Sequence, residues 1–265
     1  MAEMMQYLQD LDIYSWPIII LLIGAGFMVG FINTLAGSGT VISYSLFMFL
    51  GLSAPFANGT IRLGVIMQTL SASLSFRRQA VLDVRRGLFL ALPTVLGSVL
   101  GAQIAVKIDK DIFETVIAVV MLIMGVFIFL KPQRWLKGVD GLQKKRLGIK
   151  SFFLFFLIGI YGGFIHIGVG IFLLAALVLQ GGYDLVKANA LKVFIVFLYS
   201  PFALLVFMLN GQVHYGMGLI ASVGNIIGGL IASYFAVSWG ANFVRWLLIL
   251  IILLFSLRLL GFIDL

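Results

Sequence analysis

Apolar runs long enough to cross a lipid bilayer follow one another along nearly the whole of this 265-residue chain, and no other feature narrows the fold as much. The hydrocarbon core of a bilayer is about 30 Å thick and takes about 20 residues of helix to cross. Inside it every backbone N–H and C=O must be satisfied by the chain itself, which leaves helices and closed barrels. A barrel strand alternates apolar and polar residues, and these runs show no such alternation. Composition points the same way: 62% of the residues are hydrophobic and 11% charged, against about 25% charged in a soluble domain. The chain reads as an all-α polytopic membrane protein without a soluble domain.

The charges place the loops. Arg77, Arg78, Arg85 and Arg86 form one basic stretch between helices; Lys131, Arg134, Lys137, Lys144, Lys145, Arg146 and Lys150 form another. Clustered this way they are the positive-inside signature, with anionic lipid headgroups as neighbours. The net charge of +8 is thereby explained without nucleic acid as a partner. Two spans between the basic stretches put the mixed-charge turn 107–111 outside, and counting outward puts both termini outside a cell (inner or plasma) membrane. The N-terminal tail carries Glu3, Asp10 and Asp12 and no lysine or arginine, the wrong sign for a signal peptide. The absence of cysteine excludes disulfides and thiolate metal sites, and no cofactor or metal is expected.

Apolar patterning predicts ten helical elements, at about 16–36, 40–52, 54–76, 86–106, 111–131, 151–167, 169–181, 184–210, 215–237 and 240–261. Residues 132–150 are the linker, either an amphipathic helix on the membrane surface or a flexible basic loop. The segments on either side resemble each other. Gly37, Gly39, Gly51, Ser53, Ala57 and Asn58 recur 131 positions later as Gly168, Gly170, Gly182, Asp184, Ala188 and Asn189. Ser53 and Asp184 both suit the N-cap of the following helix. Gly26-xxx-Gly30 is matched by Gly159-xxx-Gly163, and Gly97-xxx-Gly101 by Gly224-xxx-Gly228. The expected organisation is a first repeat over 1–131, the cytoplasmic linker, and a second repeat over 151–265. With five elements per repeat, the second enters the membrane from the opposite side, giving the inverted topology common among secondary transporters.

Two elements are too short to span. Each is joined to the preceding helix through a glycine-rich break, Gly37-Ser38-Gly39-Thr40 in the first repeat and Gly168-Val169-Gly170 in the second. A break leaves unpaired N–H groups and a partial positive charge at the start of the short helix, which suits an anion. The alternative is that the glycines only let helices approach closely, the reading adopted for Gly97-xxx-Gly101 and Gly224-xxx-Gly228.

The helix after each break holds a cation, Arg62 in one repeat and Lys192 in the other. Asn58 lies four residues before Arg62 and Asn189 three before Lys192, so each asparagine shares a face with its cation. A charge within the membrane costs on the order of 3 kcal/mol and is normally paired or functional. All ten acidic residues sit in tails, loops or near helix ends. The partner is then either an anionic ligand or the backbone carbonyls at helix C-ends. His166, beside the second break, is a candidate proton carrier or a plain hydrogen-bond donor. Asn33, Thr34, Gln68 and Tyr199 offer further polar groups, and His214, in a turn, is given no role.

These motifs resemble the sulfite exporter TauE/SafE family. The resemblance lies in Gly30-Phe31 and Gly163-Phe164, each followed by Gly-x-Gly (Gly37 and Gly39, Gly168 and Gly170). It continues through Ala57-Asn58-Gly59-Thr60 and Ala188-Asn189-Ala190, and closes on a basic turn and a Gly-xxx-Gly helix. It covers nearly the whole chain. Family members have a longer run of glycines at each break, whereas here Gly39 is followed by Thr40 and Gly170 by Ile171. The resemblance implies transport of sulfite, sulfonates or small organic anions, coupled to protons. The function expected is a secondary transporter working by alternating access, not an enzyme. Substrate would bind near mid-membrane at Arg62, Lys192, Asn58, Asn189, His166 and the two breaks. An anion channel is the second reading; assembly into a homo-oligomer stays open.

Overall fold

The computed structural model describes residues 12–108, 112, 115 and 148–240. These hold α1 (Trp16–Leu35), α2 (Thr40–Phe49), α3 (Ala54–Arg78), α4 (Val84–Lys107), α5 (Ile149–Phe164), α6 (Val169–Leu179), α7 (Leu185–Leu209) and α8 (Tyr215–Ser238), and no strand among the described residues. Apart from residues 112, 115 and 240, the elements expected at 111–131 and 240–261 lie outside them, as do all but the last residues of the linker. Four helices, α1, α4, α7 and α8, are long and apolar enough to cross a membrane. A fifth long helix of the described residues, α3, is not among them; it has 25 residues and reaches about 37 Å. Its hydropathy is lowered by the polar residues of its buried face, Asn58, Arg62 and Gln68.

Helix starts follow local chemistry. The Asp83 side chain accepts from the Arg86 N–H, and Asp184 accepts from the N–H groups of Val186 and Lys187. Ser53 occupies the N-cap of α3, but its hydroxyl makes no capping bond; Pro55 in the first turn favours that start. His214, which the sequence left without a role, caps α8 by accepting from the Met217 N–H. Helix ends are set by left-handed residues. The short helices stop at Phe49 and Leu179, earlier than expected, because Gly51 and Gly182 turn to φ +93° and +65°. At 10 and 11 residues they reach only about 15–17 Å. By contrast, α5 ends at Phe164 rather than near 167 because Ile165 turns to an extended conformation, φ −134°, ψ 129°.

The 131-residue offset extends to the backbone. The bounds of α3 and α7, and those of α4 and α8, are separated by that offset at both ends. So are the left-handed residues Gly37 and Gly168, Gly51 and Gly182, and Ala80 and Gly211. Packing follows the same exchange: α1 lies against α8 and α5 against α4, while α3 meets α8 and α7 meets α4. The central contact is between α3 and α7. Glycine pairs make the peripheral crossings. A Cβ at Gly97 or Gly101 would strike the backbone of Phe156, Ile160 or Phe164, and one at Gly159 or Gly163 would strike Thr94 or Ser98. Gly224 and Gly228 meet Ile23, Phe27 and Phe31 in the same way, while Gly26 and Gly30 meet Ala221 and Asn225. Such approach replaces the missing hydrophobic drive between helices in lipid with dispersion contact.

Candidate functional site

The two breaks lie back to back at the centre. Gly37 takes φ +81° and Gly168 φ +70°, conformations an L side chain rarely adopts. A Cβ at Gly37 would fall on Gly170 Cα, and one at Gly170 on Gly37 Cα. Gly39 packs within its own half, where a Cβ would lie 2.7 Å from Val29 O and 2.8 Å from Asn33 N. Close backbone contact is therefore one use of these glycines. Neither short helix has a side-chain cap at its N-terminus, so the partial positive charge of each stands uncompensated by its own sequence.

Both cations are fully buried, Arg62 at 0% and Lys192 at 1% exposure. Each reaches across to the opposite half. Arg62 Nη1 donates to Gly162 O at 3.1 Å and Nη2 to Gly163 O at 2.5 Å, with Asn58 Nδ2 donating to Phe164 O at 2.8 Å. Lys192 Nζ donates to Asn33 O at 3.3 Å and Thr34 O at 2.8 Å. These carbonyls lie in the last turns of α5 and α1, where helical N–H partners run out; Asn33 O also accepts from the Gly37 N–H at 2.9 Å. A positive charge there also complements the helix dipole. Of the two partners open from sequence, the carbonyl one is thus built into the fold. It does not use every donor: Arg62 Nε is buried without a partner, and the guanidinium lies over the Phe207 ring at 4.7 Å. Among the described residues Asp83 and Asp184 pair with Arg86 and Lys187 near helix starts.

The remaining polar groups brace the breaks. Gln68 bridges α1, accepting from Asn33 Nδ2 at 3.1 Å and donating to Thr34 Oγ1 at 3.0 Å. Its counterpart at the repeat offset, Tyr199, places its hydroxyl 3.1 Å from His166 Nδ1. The Thr40 hydroxyl donates to His166 O at 3.4 Å, and Tyr161 to Ile167 O at 2.6 Å. Asn189 differs from Asn58: both atoms of its buried amide are without partners.

Between the breaks is a cavity of about 10 Å³, lined by Lys192, His166, Gly37, Gly170, Asn33, Gln68, Thr69 and apolar neighbours. That volume suffices for about one water. It brings together Gly37, Gly170, His166 and Lys192 from the expected site. Arg62, Asn58, Asn189, Ser38, Gly39, Thr40 and Gly168 are not on its wall. Thr69 was missed; it lies seven residues after Arg62, hence on the same helix face, and that spacing is the signal that would have found it.

Comparison with known proteins bears on what such a site does. The profile of the family described as sulfite exporter TauE/SafE matches residues 22–259. A probable membrane transporter protein of Sinorhizobium sp, ORF9, is 28% identical over 96% of this chain and 95% of its own. One from Haemophilus influenzae is 30% identical over 83% of this chain and 86% of its own. The probable membrane transporter protein YfcA of Escherichia coli K12 is 26% identical over 91% and 90%. No solved structure gives a significant match.

Proposed function

The chain is a membrane transporter belonging to the sulfite exporter TauE/SafE family, and from that premise we propose that it is a secondary transporter of small anions such as sulfite, sulfonates or related organic anions. The observation that carries the reading is the meeting of two helix breaks, from the two halves, beside two fully buried cations. Uncapped helix N-termini and buried positive charge are what a desolvated anion needs. The site comprises the two breaks, Gly37-Ser38-Gly39-Thr40 and Gly168-Val169-Gly170, with Lys192, Arg62, Asn58 and Asn189 around them. His166 is the proton-coupling group, since it borders the cavity and touches Tyr199.

Alternating access supplies the mechanism. A cavity with room for about one water cannot take sulfite, so binding requires the halves to part around the breaks. The bonds of Arg62 and Lys192 cross between the halves and are the ones that such a motion must rearrange. The halves are inverted repeats, 1–131 and 151–265, in the cell membrane with both termini outside.

Uptake into proteoliposomes tests the reading. Saturable flux of sulfite or a sulfonate, driven uphill by a proton gradient and abolished in Arg62→Ala and Lys192→Ala, is expected. Unchanged flux in both variants would remove the site. Flux that does not saturate and cannot be driven uphill would make the protein a channel.

A further inference from the structure

The two buried cations stand differently toward the cavity. Lys192 is on its wall, beside Asn33, Gln68, His166 and the backbone of Gly37 and Gly170, whereas Arg62 is not. The Arg62 guanidinium turns Nη1 and Nη2 to Gly162 O and Gly163 O and is covered on one face by Phe207, and its unpartnered Nε is not on the cavity wall. An ammonium carries three N–H groups. Lys192 uses two of them on Asn33 O and Thr34 O, which leaves one to offer a ligand.

We propose that Lys192 is the cation that meets the anion, that Arg62 ties the halves together behind it, and that the cavity therefore selects singly charged anions. This deepens the anion-transporter reading and rests on it. The other titratable groups nearby are engaged: His166 Nδ1 with Tyr199, the Tyr161 hydroxyl with Ile167 O, and the Tyr44 hydroxyl with Ala54 O. Lys192 is the one charged side chain on the wall, so a monoanion has its whole charge in direct contact with an ammonium, while the Arg62 charge, turned to the carbonyls of α5, adds its field without a contact. A dianion leaves its second charge with no cation in contact, in a medium that solvates it poorly. For sulfite, the bound species is then hydrogen sulfite, so the substrate carries its own proton into the site.

Binding to the purified full chain, read by ligand-dependent melting and competition, tests this with three probes. Methanesulfonate is a monoanion and sulfate a dianion at every pH used; sulfite passes from one to the other at its second ionisation. The affinity for total sulfite, divided by that for methanesulfonate, should fall about tenfold per pH unit above that ionisation. The ratio cancels any titration of the protein itself. Sulfate should not compete with methanesulfonate. Lys192→Gln should weaken methanesulfonate by more than about tenfold, and Lys192→Arg should restore binding. Arg62→Gln, which removes the tie to Gly162 O and Gly163 O, should lower the melting temperature. A flat ratio with effective competition by sulfate overturns the proposal and leaves anion transport standing. Unchanged methanesulfonate binding in a folded Lys192→Gln overturns it too, and should that variant not fold, the ratio on the unaltered chain decides. If none of the three anions binds, the anion reading itself falls and takes this assignment with it.

Discussion

At the scale of single residues, one position departs from the rule that its own repeat obeys. Ala80 has φ +57° in the turn after α3, and its counterpart in the turn after α7 is Gly211, at φ +67°. A left-handed conformation costs an L-residue roughly 1–2 kcal/mol, and glycine escapes it. A Cβ at Gly211 would meet nothing within 4 Å, so only the backbone penalty acts there. Ala80→Gly should therefore raise stability by up to about 1 kcal/mol, the gain trimmed by the greater freedom of glycine in the unfolded chain. Gly211→Ala should lower it by about 1 kcal/mol. Melting temperatures of the two purified variants check both signs; a fall in the first would mean that the turn gains something from the methyl group. The buried cations teach a different lesson about residues. Their presence in apolar helices is plain from sequence, but their carbonyl partners are not, because every residue carries a carbonyl. Only the fold shows that Gly162, Gly163, Asn33 and Thr34 are the ones presented.

At the scale of elements, the crossings α4–α5 and α1–α8 depend on surfaces without side chains. A Cβ on Gly101 would collide with Ile160 O and approach Phe164 N to 2.7 Å, whereas one on Gly24 would meet nothing. Gly101→Leu should cost roughly 1–3 kcal/mol through overpacking, or separate the helices outright. Gly24→Leu, on an exposed face of α1, should be neutral or slightly stabilising, because glycine within a helix costs about 1 kcal/mol relative to good helix formers. Thermal stability in detergent distinguishes them, and equal effects would mean that the glycine contact is not what holds the crossing. The Gly-xxx-Gly pairs, the breaks and the short helices were all legible in sequence, since each needs a particular small residue at a particular spacing. Helix ends were less so. The ends at Phe49, Phe164 and Leu179 depend on dihedral choices at Gly51, Ile165 and Gly182, which the residue types alone do not place to the residue. Which Gly-xxx-Gly faces which was not legible either, because helices far apart in the chain make the pairs.

At the scale of the whole molecule, matched helix bounds at a 131-residue offset recur together with matched packing of α1 on α8 and α5 on α4. Opposed orientation in the membrane follows if the turns after α3 and α7 face opposite sides. The chain has no cysteine, so a single one can be introduced and labelled without background. In sealed, oriented vesicles Gln79→Cys should react with an impermeant maleimide only from the cytoplasmic side, and Asn210→Cys only from the outer side. Labelling of both from one side would make the halves parallel. The repeat was legible because its marker residues survive in both copies; which half touches which was not, since the contact is made by backbone at Gly37 and Gly170. That contact has a mechanical meaning. Two surfaces with no side chains to interlock form a bearing, and material at a fulcrum travels least when the arms on either side swing. In the alternating access proposed above, the cavity beside it would stay nearly fixed in depth while the outer turns sweep through large arcs, so that a cargo would change sides with little displacement of its own.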